Sequence, residues 1–213
     1  MKVVIGSGNP GKLAELSETL RAAGFEPVSG ADFAAAAAET GATPRENAEI
    51  KAKAYAKASG LPAVAMDSGL FFEELPMTDP RQPGTHVRRV EGRRLSDGEM
   101  VAHYAALAES LGGRALCHWV TGFAAALPDG TVLSGDDAER QPLRWKFYLV
   151  SEPSGEPLPG KPLSCISLEG DTGRYVNENG GSSGASAERR AASRRQAAAL
   201  LQKLLRQGPG EGN

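Results

Sequence analysis

The sequence predicts an α/β fold with a central mixed sheet flanked by helices. Three features carry that reading: the N-terminal third alternates short apolar β-branched runs with helical patterns, the middle switches to strand-like segments joined by a tight turn, and the chain closes on one long helical pattern. Val3-Val4-Ile5 is the first strand signal, stopped by Gly6-Ser7-Gly8. Asn9 then reads as a helix N-cap with Pro10 at the first helical position. Leu13, Leu16 and Leu20 recur on one helical face, and Gly24 closes the helix. Residues 31–38 are alanine-rich and receive no firm assignment. Thr43-Pro44-Arg45-Glu46 reads as a capping box for a second helix that runs to about Ser59 and ends at Gly60 and Pro62. Ala63-Val64-Ala65-Met66 is a short buried strand expected to end at Asp67-Ser68-Gly69.

Pro76 to Arg94, rich in Pro, Gly and Arg, reads as a loop. Ser96-Asp97-Gly98-Glu99 is a second capping box, opening a helix with Met100, Tyr104, Leu107 and Leu111 on one side and Gly112-Gly113 at its end. Ala115 to Leu127 is strand-like, Pro128-Asp129-Gly130 is a turn, and Thr131-Val132-Leu133 returns. Trp145 to Val150 is a further strand, and residues 151–184 read as loops around one short strand, Leu163 to Leu168. The last helix starts near Ser186 and passes through Leu200, Leu201, Leu204 and Leu205. The expectation is a single domain over residues 1–207 and a disordered tail at 208–213.

Charge and hydropathy exclude several classes. Lys plus Arg is 24 and Asp plus Glu is 26 in 213 residues, so no basic field draws the chain to nucleic acid or to an anionic membrane. No apolar run approaches the roughly 20 residues of a membrane helix. Met1-Lys2-Val3-Val4-Ile5-Gly6 is too soon broken to read as a signal peptide. Cys117 and Cys165 make neither a metal-type spacing nor a disulfide framework. A soluble cytoplasmic protein without nucleic-acid or membrane partners is expected.

Four groups of residues could carry chemistry. Gly6-Ser7-Gly8-Asn9-Pro10-Gly11-Lys12 joins a strand to a helix, where glycines let backbone N–H groups approach a ligand and the helix N-terminus favours an anion. The spacing satisfies G-x-x-x-x-G-K, but Leu13 stands where a P-loop needs Ser or Thr to hold Mg²⁺, so a P-loop ATPase is rejected. Asp67 at a strand end can hold a cation or accept a proton from water, and it can equally cap the following turn. Glu39, Glu46 and Lys51 form the third group, with a capping role for Glu46 and a solvated helix face for the lysines as the plain alternatives. Arg189, Arg190, Arg194 and Arg195 could clamp phosphate or a nucleobase carbonyl, or could form the exposed side of an amphipathic helix.

Taken in order, Ser7-Gly8-Asn9-Pro10-Gly11-Lys12, Glu39-Thr40-Gly41-Ala42-Thr43, Glu46-Asn47-Ala48, Lys51-Ala52, Leu61-Pro62-Ala63 and Asp67-Ser68-Gly69-Leu70 resemble the inosine triphosphate pyrophosphatase family. The match covers residues 1–70 and continues weakly through Pro83-Gly84, Arg89, the Pro128-Asp129-Gly130 turn and Ser193-Arg194-Arg195. The resemblance implies an elongated α/β fold with a cleft between two lobes, usually a homodimer, that hydrolyses a nucleoside triphosphate to monophosphate and pyrophosphate with Mg²⁺. Non-standard purine nucleotides such as ITP, XTP and dITP are the implied substrates. Carried over by position, Ser7, Gly8, Asn9 and Lys12 would hold the triphosphate, Ser68 would touch phosphate, and Lys51 would act on the phosphates in catalysis. Glu39 and Asp67 would bind the metal, Asp67 would also activate water, and Arg195 would lie near the base. Three departures stand out: Met66 replaces the first of two adjacent acids, Arg194 replaces the histidine of a Ser-His-Arg motif, and the Gly-Phe-Gly-Tyr-Asp-Pro loop that cradles the base is replaced by Pro159-Gly160-Lys161-Pro162-Leu163-Ser164. A non-catalytic nucleotide-binding protein on the same fold is the alternative that Met66 raises.

Overall fold

The computed structural model describes residues 1–33, 35, 37–138, 145–170, 172–178 and 184–207, with backbone alone at 184–186 and 207. The expected tail at 208–213 lies outside these residues. The chain divides into two compact units, one of residues Met1–Ser68, Thr121–Asp137 and Ala191–Asn213, the other of Gly69–Val120 and Ala138–Arg190. Among the described residues no helix is long and apolar enough to cross a membrane.

In the first unit, β1 (Lys2–Ile5) pairs in parallel with β2 (Glu26–Ser29) and with β3 (Ala63–Phe72), in the register Val4↔Ala63 and Ile5↔Val64. β6 (Arg114–Ala126) follows β3 in the sheet and pairs antiparallel with β7 (Val132–Asp136) from Gly122↔Asp136 to Ala126↔Val132. Strand alternation sorts the side chains to two faces. Val3, Ile5, Val64 and Met66 pack with Leu16 and Leu20 of α1 (Pro10–Ala22) and with Ala197, Leu201 and Leu204 of α4 (Gly184–Gln207). Val4, Ala63 and Ala65 pack with Ala48, Ala52 and Ala56 of α2 (Pro44–Ser59). Each fully buried leucine of α1 contributes about 1.5–3 kcal/mol. The alanine stripe of α2 lets that helix lie close to the sheet, and at Gly122 a Cβ would overlap the backbone of Pro44 and Arg45 at its start.

In the second unit, the end of β3 and the start of β6 continue into β8 (Phe147–Val150), antiparallel to β6 with Leu116↔Tyr148, and β9 (Ser167–Glu169), antiparallel to β8 with Tyr148↔Leu168. α3 (Asp97–Ser110) lays Met100, Tyr104 and Leu107 on Leu70, Phe72, Cys117 and Leu149. The Tyr104 hydroxyl donates to Val87 O at 2.8 Å. Cys117 and Cys165 are buried free thiols, and burial raises the pKa of both. Such thiols are inert packing groups.

The expected helices are present, and the three capping signals can be followed atom by atom. Asn9 Oδ1 accepts from Gly11 N (2.9 Å) and Lys12 N (3.1 Å). Ser96 and Glu99 form the reciprocal box. At α2, Thr43 Oγ1 accepts from Glu46 N, but Glu46 reaches past the cap to Ala42 N (2.7 Å), one residue further back than a capping box requires. Four strand-level expectations are corrected. β2 occupies a stretch that had no assignment. The Pro76–Arg94 loop contains a small hairpin of β4 (Arg89–Val90) and β5 (Arg93–Arg94), turned by left-handed Glu91 and Gly92. Pro162–Ile166 is a 3₁₀ turn rather than the start of a strand, because Pro162 removes a strand donor and Ser164 Oγ is taken by Leu158 N. Finally, β3 does not end at Asp67-Ser68-Gly69 but runs to Phe72.

Candidate active site

The site begins where two parallel neighbours part. β1 stops at Ile5, paired with Val64, and Gly6 N makes the last contact, to Val64 O at 2.8 Å. β3 continues, so Asp67 emerges past the end of β1 although it lies within its own strand. The strand end beside Asp67 is therefore that of β1 and not of β3. The bend that follows β1 leads into α1, which carries Lys12 Nζ to 3.5 Å from Met66 O.

On the other face of β3, α2 supplies the partners of Asp67. Asn47 and Lys51 stand four residues apart and so share one side of the helix. Lys51 Nζ lies 2.7 Å from Asp67 Oδ1 and 2.5 Å from Glu39 Oε1. Asn47, fully buried, donates from Nδ2 to Asp67 Oδ2 (3.3 Å) and accepts from Gly41 N at Oδ1 (2.8 Å). Asn47 thus fixes both the acid on β3 and the loop that carries Glu39. That loop requires glycine at position 41, where a Cβ would come within 2.8 Å of Asn47 N. Sequence reasoning quoted Asn47 inside a motif but assigned it no role. A polar residue four positions before Lys51, bordering the Ala48-Ala52-Ala56 stripe, was the available signal.

The electrostatics separate the two lysines. Burial works to lower the Lys51 pKa, but the charge and hydrogen bond of Asp67, joined by Glu39, outweigh it and raise the value. Lys12 moves the other way: burial dominates and lowers it, with Asp67 and Glu39 opposing and Lys51 adding to the depression. Asp67 is 7% exposed, so its carboxylate is met by Lys51 and Asn47 in place of bulk water.

The remaining predicted residues fall into two groups. Ser7, Gly8 and Asn9 form the bend before α1, and their polar atoms serve it: Asn9 N donates to Ser7 Oγ (3.2 Å), and Asn9 caps the helix. Ser68 is half-buried, one residue on from Asp67 and so on the opposite face of β3. Arg195 is exposed and has no hydrogen bond or ion pair with a described residue, so the fold does not join it to the Lys51 cluster. Arg194, one position earlier, pairs with Glu15 of α1 at 3.2 Å. α4 is held there by buried Asp137, which accepts from Thr121 N (2.6 Å) and from Ser193 Oγ (3.1 Å). The arginine of α4 attached to the Lys12 helix is therefore Arg194.

The donor set suits a hard cation of the Mg²⁺ type. Glu39 Oε1 and Asp67 Oδ1 come from different chain segments, yet both lie within 2.7 Å of one nitrogen, and Mg²⁺ commonly takes one or two carboxylates and completes its shell with phosphate and water. Among the described residues no group of three or more His, Cys, Asp or Glu converges. Met66 carries a thioether and so adds no side-chain oxygen, and it packs in the apolar cluster under α1 and α4.

The model of the Ham1 family matches residues 3–138, more than half of the chain. The chain belongs to the Ham1 family. A dITP/XTP pyrophosphatase of Thermus thermophilus is 40% identical over 131 residues, 61% of this chain and 61% of the relative. A dITP/XTP pyrophosphatase of Rhodopseudomonas palustris is 38% identical over 136 residues, 62% and 63% of the two chains. The chain thus spans under two thirds of the length of the curated relatives it matches. Solved structures extend the likeness across the Ham1 fold. A HAM1 protein from Coxiella burnetii aligns with TM-score 0.70 at 25% identity, covering 95% of this chain and 99% of the other. A nucleoside-triphosphatase/dITP/XTP pyrophosphatase from Mycobacterium abscessus aligns with TM-score 0.65 at 31% identity, covering 94% and 99%.

Proposed function

We propose that this Ham1-family chain hydrolyses nucleoside triphosphates, with non-standard purine nucleotides such as ITP, XTP and dITP as the substrate class, to the monophosphate and pyrophosphate. One observation carries the reading: Lys51 stands between Glu39 and Asp67 beside the Lys12 end of the β1–α1 bend. The names of the dITP/XTP pyrophosphatase relatives support it. Two ammonium groups and two carboxylates within one small region are what a polyanion and its counter-ion need. Lys12 and Lys51 bind the phosphate chain and orient it. Asp67, held in place by Asn47, takes a proton from water once Lys51 has turned to phosphate, and the oxygen of that water attacks the α-phosphorus as the bond to the bridging oxygen breaks and pyrophosphate leaves. Glu39 and Asp67 would hold Mg²⁺, which when bound offsets charge developing on the phosphoryl oxygens. The homodimer belongs to the same proposal and is checked by sedimentation.

The test is pyrophosphate release from a panel of standard and deaminated nucleotides, with and without Mg²⁺, for the wild type and for Asp67→Asn. The substitution is expected to remove roughly 2–4 kcal/mol of transition-state stabilisation, the effect of losing one preorganised polar group. Equal kcat/KM in both proteins would remove Asp67 from the mechanism. The packing of Met66 away from Asp67 favours one second reading, a nucleotide-binding protein without turnover. Tight nucleotide binding by calorimetry beside an inert assay selects it.

A further inference from the structure

We propose that Lys51 closes the Glu39–Asp67 acid pair to free divalent cations, so that a metal enters only with a phosphate chain that draws the lysine away. The proposal rests on the triphosphate reading for its purpose, but not for its test. The Lys51 ammonium occupies the point at which the two carboxylates converge, 2.5 Å from one and 2.7 Å from the other. Its side chain is 14% exposed, so a hydrated ion that meets the 42% exposed Glu39 side chain cannot reach the point between the two carboxylates without moving the lysine. The second oxygen of Asp67 is held by Asn47, and Met66 turns its side chain into the α1–α4 core, so no spare carboxylate stands ready. Lys12 adds a second positive charge at Met66 O.

Glu39 and Asp67 set against Lys12 and Lys51, with Glu15 beside Lys12 paired to Arg194, leave this cluster without net charge, and a bare cation gains little by entering it. Mg²⁺ also gives up its waters reluctantly. A phosphate chain changes the balance, because its oxygens give both lysines charge-assisted partners and release the carboxylate oxygens. Metal and phosphate chain then favour each other's binding, and the coupling is reciprocal.

Mn²⁺ is the probe, followed by electron paramagnetic resonance at neutral pH on the nucleotide-free chain. The wild type is expected to show no saturable site at micromolar Mn²⁺. Lys51→Met is expected to gain one that is about tenfold tighter or more, and Lys51→Met/Glu39→Gln to lose that gain. Equal affinity in the wild type and Lys51→Met overturns the proposal. So does a saturating micromolar site in the wild type, a result that is read even where the variant does not fold. Inorganic triphosphate added to the wild type is expected to produce an enzyme-bound Mn²⁺ signal seen as enhanced water-proton relaxation; its absence overturns the coupled entry. An inert hydrolysis assay beside these gains would remove the activity and leave the lysine's role standing.

Discussion

Two ion clusters in this protein have equally short contacts and different characters. In one, Lys51 links Glu39 and Asp67 at 2.5 and 2.7 Å. In the other, Glu73 Oε1 meets His118 Nδ1 at 2.6 Å and Lys146 Nζ at 2.8 Å, with Phe71 stacked on His118 at 5.5 Å between ring centres. Burial opposes the ionised form of Glu73, yet the hydrogen bond from Lys146 and the charge of His118 hold its carboxyl below the usual range. The Glu73 side chain is 33% exposed, however, so water can replace either partner. Asp67 has no such access, and it is held from both ends of its carboxylate by a single helix. Distance alone does not rank the clusters; the solvent available to the anion after a partner leaves does.

The comparison can be broken by substitution. Lys51→Ala leaves two acids facing each other, one of them buried, and is expected to cost about 3–5 kcal/mol of stability by chemical denaturation. A loss below about 1 kcal/mol would make the two clusters equivalent and end the distinction. Asn47→Asp keeps the acceptor for Gly41 N but sets a like charge against Asp67 in place of a donor, with an expected cost of about 1–3 kcal/mol. Asn47→Ala removes both bonds and should cost more; the reverse order would show that the contact with Asp67 outweighs the bond to the loop.

Lys12 sharpens the contrast through pH. A lysine with a depressed pKa loses its proton before an ordinary one, so phosphate binding should weaken on the alkaline side below the ordinary value of 10.5. Lys12→Arg, which stays charged, should move that limb upward in a plot of kcat/KM against pH. An unchanged limb would remove Lys12 from phosphate binding. Glu73→Gln is the smallest expected effect, under about 1 kcal/mol and shrinking further with added salt. A larger, salt-insensitive loss would show that the second cluster is as dependent on its pairing as the first.

Local chemistry accounts for what could be read without coordinates. Asn9, Thr43, Ser96 and Gly60 act through atoms within a few residues, and each performs its expected function at a helix end. The order of most strands and helices followed from the same short-range signals, and so did Lys12 and Asp67 as residues of interest, whereas Glu39 and Lys51 owed their roles to the family resemblance. β2 was not legible, because its four residues carry little apolar pattern and are held by the parallel register with β1. Only the tertiary structure decided how the acids and lysines share their work. The pleat of β3 sends Met66 and Asp67 to opposite faces, so the absent acid is replaced by core packing, and Asp67 turns to α2. The rotation of about 100° between adjacent helix positions sends Arg194 to Glu15 and leaves Arg195 exposed. Helix caps are settled by neighbours in the chain, whereas a charge shared among Glu39, Lys51 and Asp67 exists only after a loop, a helix and a strand have packed.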